Sequence, residues 1–462
     1  MERLANLTTP QLRRLHSGKV RESFRVSDHV RMIVVTDRIS CFDNVLVTMI
    51  PGKGAVLNRL SNFWFNQTKS ICDSHFVEEI DPNITLVKEA VPIRVEMVVR
   101  GFLTGSAWRK YEKGQRNFSG TTIPDGLTKN QRFATPILTP TTKENSDREI
   151  TPIQIAASEL ATKQIYDEMA QISLRLFDFG SKYLAERGII LVDSKYEFGL
   201  IGDKIILIDE IHTPDSSRFW RTDDYEKNSE SVDSMDKEYV RAWLMENKIG
   251  DVFPSTLPRQ VVDETRQRYI DIFRRITDKD FTITTEDSKT RIYRNLCRAK
   301  IIKQGYVALI MGSVNDLVHS KKIAEIIEKY DIMADMRVLS AHKNSERIPE
   351  IAAEYNASIE PGSVIAIAGR SNGLGGALAA NLNIPVFNCP PFHDRSDFFA
   401  NINSSLMMPS KTPAATVIDH ENAALAALRS LNLPALRSIF NDEIAEMKSN
   451  LYESDIKIRG KK

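Results

Sequence analysis

A chain of 462 residues is too long for one compact core, so the sequence predicts two or three domains. The 62 lysines and arginines balance 61 aspartates and glutamates, which argues against nucleic-acid binding because such proteins carry a basic excess. The four cysteines stand far apart without a CxxC pair, which disfavours a zinc or disulfide framework and favours a reducing, cytoplasmic location. The sequence contains no apolar run of signal-peptide or membrane-spanning length, so we expect neither secretion nor membrane insertion.

The first part of the chain has the pattern of an α+β domain. Short apolar runs at 31–36, 93–99, 189–192 and 205–208 are separated by polar turns and predict strands. Between 155 and 185 apolar residues recur every three or four positions, which predicts one long helix or two short ones. We assign this domain to 1–280 and the polar, charge-rich segment 281–304 to a linker.

After residue 304 the pattern changes to strictly alternating strands and helices. The predicted strands lie at 305–313, 336–340, 363–369 and 384–390, with predicted helices at 317–329, 346–355 and 375–382 between them. Such alternation is typical of a parallel sheet covered by helices on both faces. We therefore predict a three-layer α/β domain of the flavodoxin or Rossmann-like kind over 305–445, followed by a solvated tail at 446–462.

Three segments of the first domain combine glycine or proline turns with cations. SGKVR at 17–21 suits a phosphate or a solvated basic turn, because the full phosphate-loop pattern is missing. In VRGFLTGSAW, Arg100 and Ser106 are suited to hold a phosphate together, although an ordinary glycine turn fits equally well. In TPDSSRFW, Arg218 follows a turn and is suited to bind a second anion.

The segment DSKYEFG at 193–199, followed by IILIDE at 205–210, carries the strongest signal. Strand alternation places Asp193, Lys195 and Glu197 on one face, and Asp209 ends the next strand. Carboxylates crowded on one face repel each other unless a cation neutralises them. A Mg²⁺ ion carrying nucleotide phosphates explains the pattern, and a surface salt-bridge ladder is the alternative.

Seven segments of this domain resemble the phosphoribosylaminoimidazole-succinocarboxamide synthases, or SAICAR synthetases: SGKVRE, TDRISCFD, PGKGAVLNRLSNFW, VVRGFLTGSAW, TPTTK, VDSKYEFGL and IDEIHTPDSSRFW. The resemblance runs over about 18–273 in the family's order. It implies that the domain joins carboxyaminoimidazole ribotide (CAIR) to L-aspartate at the expense of ATP, through an acyl phosphate, with Mg²⁺.

The same resemblance implies a role for each matching residue. The ATP contacts would be Lys19, Val20, Arg21 and Lys143; the Mg²⁺ ligands Glu197 and Asp209; the neutraliser of developing charge Lys195; and the CAIR contacts Arg100, Ser106, Asp193 and Arg218, with Asp147 as a further contact. The loop KENSDREIT that starts at Lys143 departs from the family, which has a longer acidic segment there.

In the second domain the polar side chains follow three predicted strands. Ser313, His342 and Arg370 lie just past strand ends, which meet at the same edge of a parallel sheet. Ser313 and Asp316 suit a phosphate and a ribose hydroxyl, and each is equally suited to cap the following helix. A lone histidine at a strand end usually has a structural role. The polar residues predicted at the neighbouring strand ends favour a catalytic role for His342 instead.

Here MGSVND, VLSAHKNS, AGRSNGLGGALAANLNIPVFNCPP and SSLMMPSKTPAATV resemble aminoimidazole ribotide (AIR) carboxylases over about 305–431. Lys343 and the sequence RSNG at 370–373 resemble the class that uses CO₂ directly; the mutase class has an arginine after the histidine and an alanine–histidine glycine loop.

The implied roles are AIR binding by Ser313 and Asp316, proton transfer by His342 with Lys343, and a CO₂ site at Ser340, Lys343, Arg370, Ser371 and Asn372. Asn315 departs from the family's serine. Histidine suits this step because carboxylating a ring carbon requires removal of its proton near neutral pH.

Together these patterns predict a bifunctional purine-biosynthesis enzyme with ATP and Mg²⁺ but no biotin. Its partners would be the small molecules AIR, CO₂, CAIR and L-aspartate, and the resemblance implies a homo-octamer built on the carboxylase domain. Two alternatives stay open at this point: the second domain is a mutase acting on the carbamate isomer of CAIR, or it is a non-catalytic ribotide-binding or assembly module.

Overall fold

The computed structural model describes residues 3–143, 148–282, 286–392 and 395–460, with the side chains of 395–397 left out. The chain forms two compact units: the first comprises 1–6 and 14–292, and the second comprises 7–13 and 293–462. The ends that we predict for the first domain, at residue 280, and for the linker, at residue 304, stay predictions. In the described part of the chain, every helix is too short or too polar to cross a membrane.

The first unit is built on two antiparallel sheets. One runs in the order β1-β2-β3-β7-β6, and the other in the order β11-β8-β13-β14, with β12 also pairing with β8 and β15 with β13. The predicted strands of this half are all present, and the second sheet contains the predicted hairpin of β13 and β14. The strands are β1 (Arg14–Ser17), β2 (Arg21–Arg25), β3 (Val30–Val35), β4 (Ser40–Cys41), β5 (Asn44–Val45), β6 (Phe76–Asp81), β7 (Ile84–Lys88), β8 (Val91–Phe102), β9 (Asn117–Phe118), β10 (Thr121–Thr122), β11 (Arg132–Leu138), β12 (Thr141–Thr142), β13 (Ile189–Ile201), β14 (Lys204–Ile208) and β15 (Ser217–Arg221).

Helices cover the apolar faces of these sheets, which confirms the α+β prediction. Trp64, Leu176, Phe198 and Ile272 meet in one buried cluster, so three helices and β13 share a core. The periodic stretch 155–185 forms the end of one short helix and a long one, because Thr162 caps a new helix there. The helices are α1 (Lys53–Gln67), α2 (Gly105–Glu112), α3 (Pro152–Ala157), α4 (Lys163–Ala185), α5 (Thr222–Lys227), α6 (Glu238–Glu246), α7 (Arg259–Thr277) and α8 (Ser288–Arg298), the last of which crosses the limit between the units at residue 292.

The second unit is a parallel five-stranded sheet between two layers of helices, as predicted. The strand order β17-β16-β18-β19-β20 is the order of flavodoxin-like folds. Two separate buried clusters lie on the two faces of the sheet, one with α9, α13 and α14 and the other with α10 and α11. The elements are β16 (Tyr306–Met311), α9 (Leu317–Glu328), β17 (Met333–Val338), α10 (Ile348–Asn356), β18 (Gly362–Ile367), α11 (Gly373–Asn381), β19 (Val386–Asn388), α12 (Arg395–Leu406), β20 (Ala414–Thr416), α13 (His420–Ser430) and α14 (Pro434–Arg459).

Three segments differ from their predicted local structure. The strand expected at 336–340 runs over Met333–Val338, because its pairing with β16 starts opposite Tyr306. The segment expected to be a linker contains α8, since Ile292 and Leu296, four residues apart, are both fully buried. The expected tail is helical to Arg459, because the segment holds no glycine or proline before Gly460, and its side chains are exposed.

Candidate active sites

The strand β13 places alternate side chains on opposite faces, and this alternation builds the first site. Tyr196 and Phe198 are fully buried in the core, whereas Lys195 and Glu197 point to the other face. The Lys195 ammonium lies 2.9 Å from Glu197 Oε1 and 2.7 Å from Oε1 of Glu96 on the neighbouring strand β8. The predicted face of charged residues therefore exists, with a lysine between two buried glutamates.

Charge pairing in this site opposes the cost of burial. Burial disfavours the charged forms of Glu197 and Lys195, but their mutual attraction outweighs it: Lys195 and Lys143 hold the pKa of Glu197 below its usual range. Glu197 and Glu96 likewise raise the pKa of Lys195. Lys195 and Glu197 therefore both carry their charge at neutral pH.

Asp209 and Arg21 form the second half of this site. Asp209 follows β14 in the left-handed region with φ 65°, and its Oδ1 accepts a hydrogen bond of 2.9 Å from Arg21. The same guanidinium lies 2.6 Å from Glu210. Burial raises the pKa of Asp209 to about 6, with Glu197 and Glu210 acting in the same direction and Arg21 opposing them. This corner of the site thus concentrates three carboxylates.

A cavity of about 190 Å³ opens beside these groups. Its lining includes the apolar residues Ile33, Val87, Pro92 and Ile208. Charged residues also line it, among them Arg21, Lys143, Glu197 and Asp209. A cavity that combines apolar and charged side chains suits a molecule with a flat ring and phosphates.

The predicted ATP contacts are not all in the same place. Arg21 and Lys143 line the cavity, and Lys143 is paired with Glu197. Lys19 does not line it: its half-exposed ammonium lies 2.7 Å from Asp43. Val20 contributes its carbonyl to hydrogen bonds from Thr36. The β1–β2 turn therefore directs Lys19 outward. The further predicted contact Asp147 lies outside the described residues.

Arg100 and Arg218 converge on one carboxylate. Asp193 Oδ2 accepts a hydrogen bond of 3.2 Å from Arg100 and one from Arg218, because β13 lies between the strands that carry the two arginines. Arg100 also donates to Thr139 at 2.9 Å. Asp193 thereby holds two guanidinium groups close together.

The start of α2 lies beside this arginine pair. A side-chain carbon on Gly105 would stand 2.7 Å from the Arg218 guanidinium, so only glycine, here at φ 57°, fits that position. Ser106 is the next residue, in the first turn of the helix. A cavity of about 350 Å³ is lined by Gly105 and Arg218 together with Arg109 and Lys129, which sequence reasoning missed. The lining thus holds three cations, Arg109, Lys129 and Arg218, which suit a phosphate, whereas the predicted contacts Arg100 and Ser106 are not part of it.

The donor set of the first cavity fits a nucleotide-bound Mg²⁺. In the described part of the chain, no group of three or more histidine, cysteine, aspartate or glutamate side chains is arranged to hold a metal ion. Magnesium carried by phosphates needs only one or two protein carboxylates, since phosphates and water complete its shell. Glu197 and Asp209, which both line the cavity, meet that requirement.

In the second unit the predicted site residues lie at one edge of the sheet. Met311, Val338 and Ile367 are in register on three adjacent strands, so the loops that follow them meet. A cavity of about 570 Å³ lies there. Its lining includes the predicted residues Ser313, Asp316, Ser340, His342, Lys343, Arg370 and Ser371. The imidazole of His342 is exposed and stands against Gly373.

Two of the predicted residues serve local structure. Ser313 lines the cavity and also caps the turn at 314–316, because its hydroxyl accepts from the Asn315 amide at 3.2 Å. Asn372 does not line the cavity: it is almost fully buried, accepts from Gly375 at the start of α11, and donates to Ser405 at 2.9 Å. Asn372 therefore holds the loop in this structure, and its predicted contact with CO₂ stays a prediction.

Helix α12 supplies a residue that sequence reasoning missed. Asn401 is buried at the cavity wall, where its Oδ1 accepts from the backbone amide of Arg370 and its Nδ2 donates to the carbonyl of Pro391 at 2.6 Å. Arg370 has a φ of 58°, an unfavourable region for an arginine. The bond from Asn401 thus stabilises the loop that carries the predicted CO₂-site residues.

We expect Asn401→Ala to raise the KM for CO₂ more than it lowers kcat, because the Arg370 loop carries the predicted CO₂-site residues. The variant leaves the Arg370 amide and the Pro391 carbonyl without their partner, and a lost hydrogen bond of this kind is worth about 1–2 kcal/mol, or roughly tenfold in KM. Steady-state kinetics of the second unit, with thermal unfolding alongside, measures this split. Asn403→Ala, an exposed position on the same helix, is the control. An unchanged KM for CO₂, supplied as bicarbonate, would show that Asn401 has no positioning role.

Comparison with known proteins agrees with the two resemblances. The family model described as SAICAR synthetase matches residues 14–255, and the model described as AIR carboxylase matches 306–453. A putative phosphoribosylaminoimidazole-succinocarboxamide synthase 2 of Agrobacterium fabrum is 40% identical over 64% of this chain and 98% of its own length.

Two solved structures align with different parts of the chain. The SAICAR synthase of Saccharomyces cerevisiae, complexed with SAICAR, is 35% identical with a TM-score of 0.56, and the alignment covers 61% of this chain and all of that one. The PurE protein of Treponema denticola is 35% identical over 33% of this chain and 98% of its own, with a TM-score of 0.31. From the two family models and the relative from Agrobacterium, the chain belongs to the SAICAR synthetase family of purine-biosynthesis ligases and carries a second domain of the AIR carboxylase family.

Proposed function

We propose that the chain is a bifunctional enzyme that carries out two consecutive steps of purine biosynthesis. The second unit carboxylates AIR with CO₂ to give CAIR, and the first unit joins CAIR to L-aspartate with ATP to give SAICAR, ADP and phosphate. The observation that carries this proposal is the clustering of charged residues on β13 and just after β14, beside the 190 Å³ cavity and the Arg100–Arg218 pair.

In the first unit, ligation requires the CAIR carboxylate to be activated and then attacked. The carboxylate oxygen takes the γ-phosphoryl group of ATP, which releases ADP and forms an acyl phosphate. The amine of L-aspartate then attacks the acyl carbon, phosphate leaves and the amine loses a proton. Phosphoryl transfer of this kind depends on positioning and charge neutralisation rather than on a nucleophilic side chain.

The described side chains can supply these needs. The apolar walls of the cavity hold the adenine, while Arg21 and Lys143 stand at its phosphate end. Lys195 neutralises charge that develops on the transferring group. Glu197 and Asp209 would hold Mg²⁺, which supplies further charge neutralisation at the phosphates when bound. The yeast relative whose structure contains SAICAR supports the choice of product.

The ribotide phosphate has its own place in this scheme. Arg100 and Arg218 are held together by Asp193 beside the first turn of α2. Forked guanidinium groups bind phosphate in a fixed orientation, so the pair would fix the ribotide end of CAIR. The carboxylate end of CAIR would then extend toward Lys195, two residues further along the same strand.

In the second unit, the ring carbon of AIR attacks CO₂ and then loses its hydrogen as a proton. His342 accepts this proton, since an imidazole can take it up and release it near neutral pH. Ser313 and Asp316 would bind the ribotide from the end of β16, and Lys343, Arg370 and Ser371 would surround CO₂. The amino group makes the ring electron-rich, so we propose that no biotin takes part.

Combining the two units in one chain would favour the overall conversion. Carboxylation of AIR is readily reversible, whereas ATP hydrolysis drives ligation, so removal of CAIR pulls the first step forward. The resemblance to octameric carboxylases supports a homo-octamer. Exposed apolar side chains on the edge strand β17, such as Met336 and Val338, also support assembly. We propose that the enzyme acts in the cytoplasm. Light scattering of the 52.3 kDa chain tests the octameric state.

The coupled reaction tests the proposed function. We expect the full-length protein, given AIR, labelled bicarbonate, ATP and L-aspartate, to incorporate label into SAICAR with one ADP formed per product. Omission of ATP or of aspartate should stop SAICAR formation. ADP formation that needs neither CAIR nor aspartate would contradict the ligase assignment, and unlabelled SAICAR would contradict carboxylation from bicarbonate.

A further inference from the structure

Three uncharged polar side chains line the 190 Å³ cavity of the first unit: His16, Ser23 and His75. His16 is exposed to solvent, and the hydroxyl oxygen of Ser23 is fully enclosed by protein. His75 differs from both, because its side chain is only 5% exposed and yet forms part of the cavity wall. This histidine has no role in the scheme proposed above.

The imidazole of His75 has unused hydrogen-bonding capacity. Among the described residues nothing bonds to its ring nitrogens, and neither nitrogen belongs to the fully enclosed polar atoms. The buried His212 of the same unit differs, since its Nε2 lies 2.7 Å from the hydroxyl oxygen of Tyr196. Buried polar groups in proteins are nearly always hydrogen-bonded. A molecule in the cavity can therefore supply the partner that His75 lacks.

The backbone holds His75 rigidly at the cavity wall. Its amide donates a 2.9 Å hydrogen bond to the carbonyl of Leu207 on β14, and its carbonyl accepts one of 2.7 Å from the amide of Lys88 at the end of β7. The Phe65 ring meets the imidazole edge-on, with 5.3 Å between the ring centroids. Because the imidazole is already fixed, little conformational entropy is lost when it binds a ligand.

The imidazole of His75 is neutral at physiological pH. Burial lowers its pKa to about 3, with Arg21 and Arg31 acting in the same direction and Glu197 opposing them. A neutral imidazole has one N–H donor and one acceptor nitrogen, and it brings no charge to pair with a phosphate. A neutral polar group of the ligand is therefore the matching partner.

The base is the part of a nucleotide that offers such groups. The apolar lining residues, among them Val87 and Ile208, suit the faces of a flat ring, and Arg21 and Lys143 suit the phosphates. Both purine bases carry acceptors at N3 and N7, whereas position 6 carries an amino donor in adenine and an oxygen acceptor in guanine. A contact at position 6 thus distinguishes the two bases, and an acceptor nitrogen matches the amino group.

We propose that the His75 imidazole accepts a hydrogen bond from the 6-amino group of adenine and so selects ATP over triphosphates that lack this group. The assignment rests on the proposed ligase function and adds a specificity-determining residue to its nucleotide site. His75 contacts the base alone in this account, so its removal affects nucleotide binding and leaves phosphoryl transfer unchanged.

The test compares ATP with purine riboside triphosphate, in which hydrogen replaces the 6-amino group. ADP formation is measured at saturating CAIR and L-aspartate. We expect the wild-type KM for the analogue to exceed that for ATP about three- to tenfold, as for loss of one hydrogen bond between neutral groups. In His75→Leu the KM for ATP should rise to that of the analogue, with kcat unchanged.

Further probes separate base recognition from a structural role. His75→Gln keeps an acceptor and should retain part of the preference for ATP, and His29→Leu, at an exposed position between β2 and β3, should behave as wild type. The nucleotide 7-deaza-ATP keeps the amino group but lacks N7, so its KM relative to ATP should be the same in His75→Phe as in His75→Leu. The melting temperature of His75→Leu should not fall, since leucine removes a buried polar group that has no partner.

Two outcomes would overturn the assignment. One is a His75→Leu protein that keeps the wild-type ratio of the KM values for the analogue and ATP. The other is a fall in melting temperature together with equal rises in the KM values for ATP, the analogue and CAIR, which would indicate a structural role. A wild-type protein that forms no ADP with CAIR and aspartate would overturn the proposed ligation. Calorimetric titration of both triphosphates into the protein tests His75 without turnover.

Discussion

Replacing His342 with asparagine should abolish carboxylation of AIR while the ligase activity of the same protein stays intact. An amide of similar size fills the same space at the cavity but cannot exchange a proton. Loss of a general acid–base typically costs between about 10² and 10⁴ in rate. The remaining cavity residues, among them Ser313 and Arg370, are untouched, so ribotide affinity should change by less than about threefold.

The bifunctional chain provides its own control for this variant. SAICAR formation from supplied CAIR, ATP and aspartate uses residues of the first unit only and should proceed at the wild-type rate. Carboxylation is measured separately as label fixed from bicarbonate. A His342→Asn protein that still carboxylates AIR at more than a tenth of the wild-type rate would show that another group moves the proton.

Lys195→Met should produce the largest loss in the ligase. The substitution removes the ammonium between Glu96 and Glu197, which are each about 95% buried. Removing one pre-arranged charge at the reacting group costs about 10² to 10³ in kcat. The two glutamates are then left with fewer partners, so the free energy of unfolding should fall by about 1–3 kcal/mol.

Activity and thermal unfolding of the purified variant measure both effects. Lys204→Met removes an exposed lysine from the adjacent strand β14 and its surface pair with Asp73, and it should leave kcat unchanged. Carboxylation by the second unit should be normal in both variants. A Lys195→Met protein with ligase activity within tenfold of the wild type would remove Lys195 from the catalytic account.

The local sequence pattern was sufficient to predict the strands and helices that position both sites. The alternation of charged and apolar residues along 193–200 predicted which side chains of β13 face the site, because the pleat of a strand fixes that choice. Strand–helix alternation likewise predicted the parallel sheet and the edge where Ser313, His342 and Arg370 meet.

Contacts between residues distant in sequence were not predictable in this way. Asn401 stabilises the Arg370 loop from 31 residues away, and no spacing in the sequence indicates that contact. The segment 7–13 belongs to the second unit because Gln11 exchanges hydrogen bonds with the backbone of Lys303, and Thr9 binds Glu360. The helix cap made by Asn372 was not predicted either, because a cap and a ligand contact use the same polar atoms.

The most direct test of the account is carboxylation in the absence of ATP and aspartate. The purified protein is incubated with AIR and isotope-labelled bicarbonate in one reaction, and with the carbamate isomer of CAIR in a parallel one. We expect label to enter CAIR in the first reaction and no conversion in the second. Conversion of the carbamate isomer, with no label fixed from AIR, would make the second unit a mutase and contradict the roles given to Lys343 and the Arg370 loop.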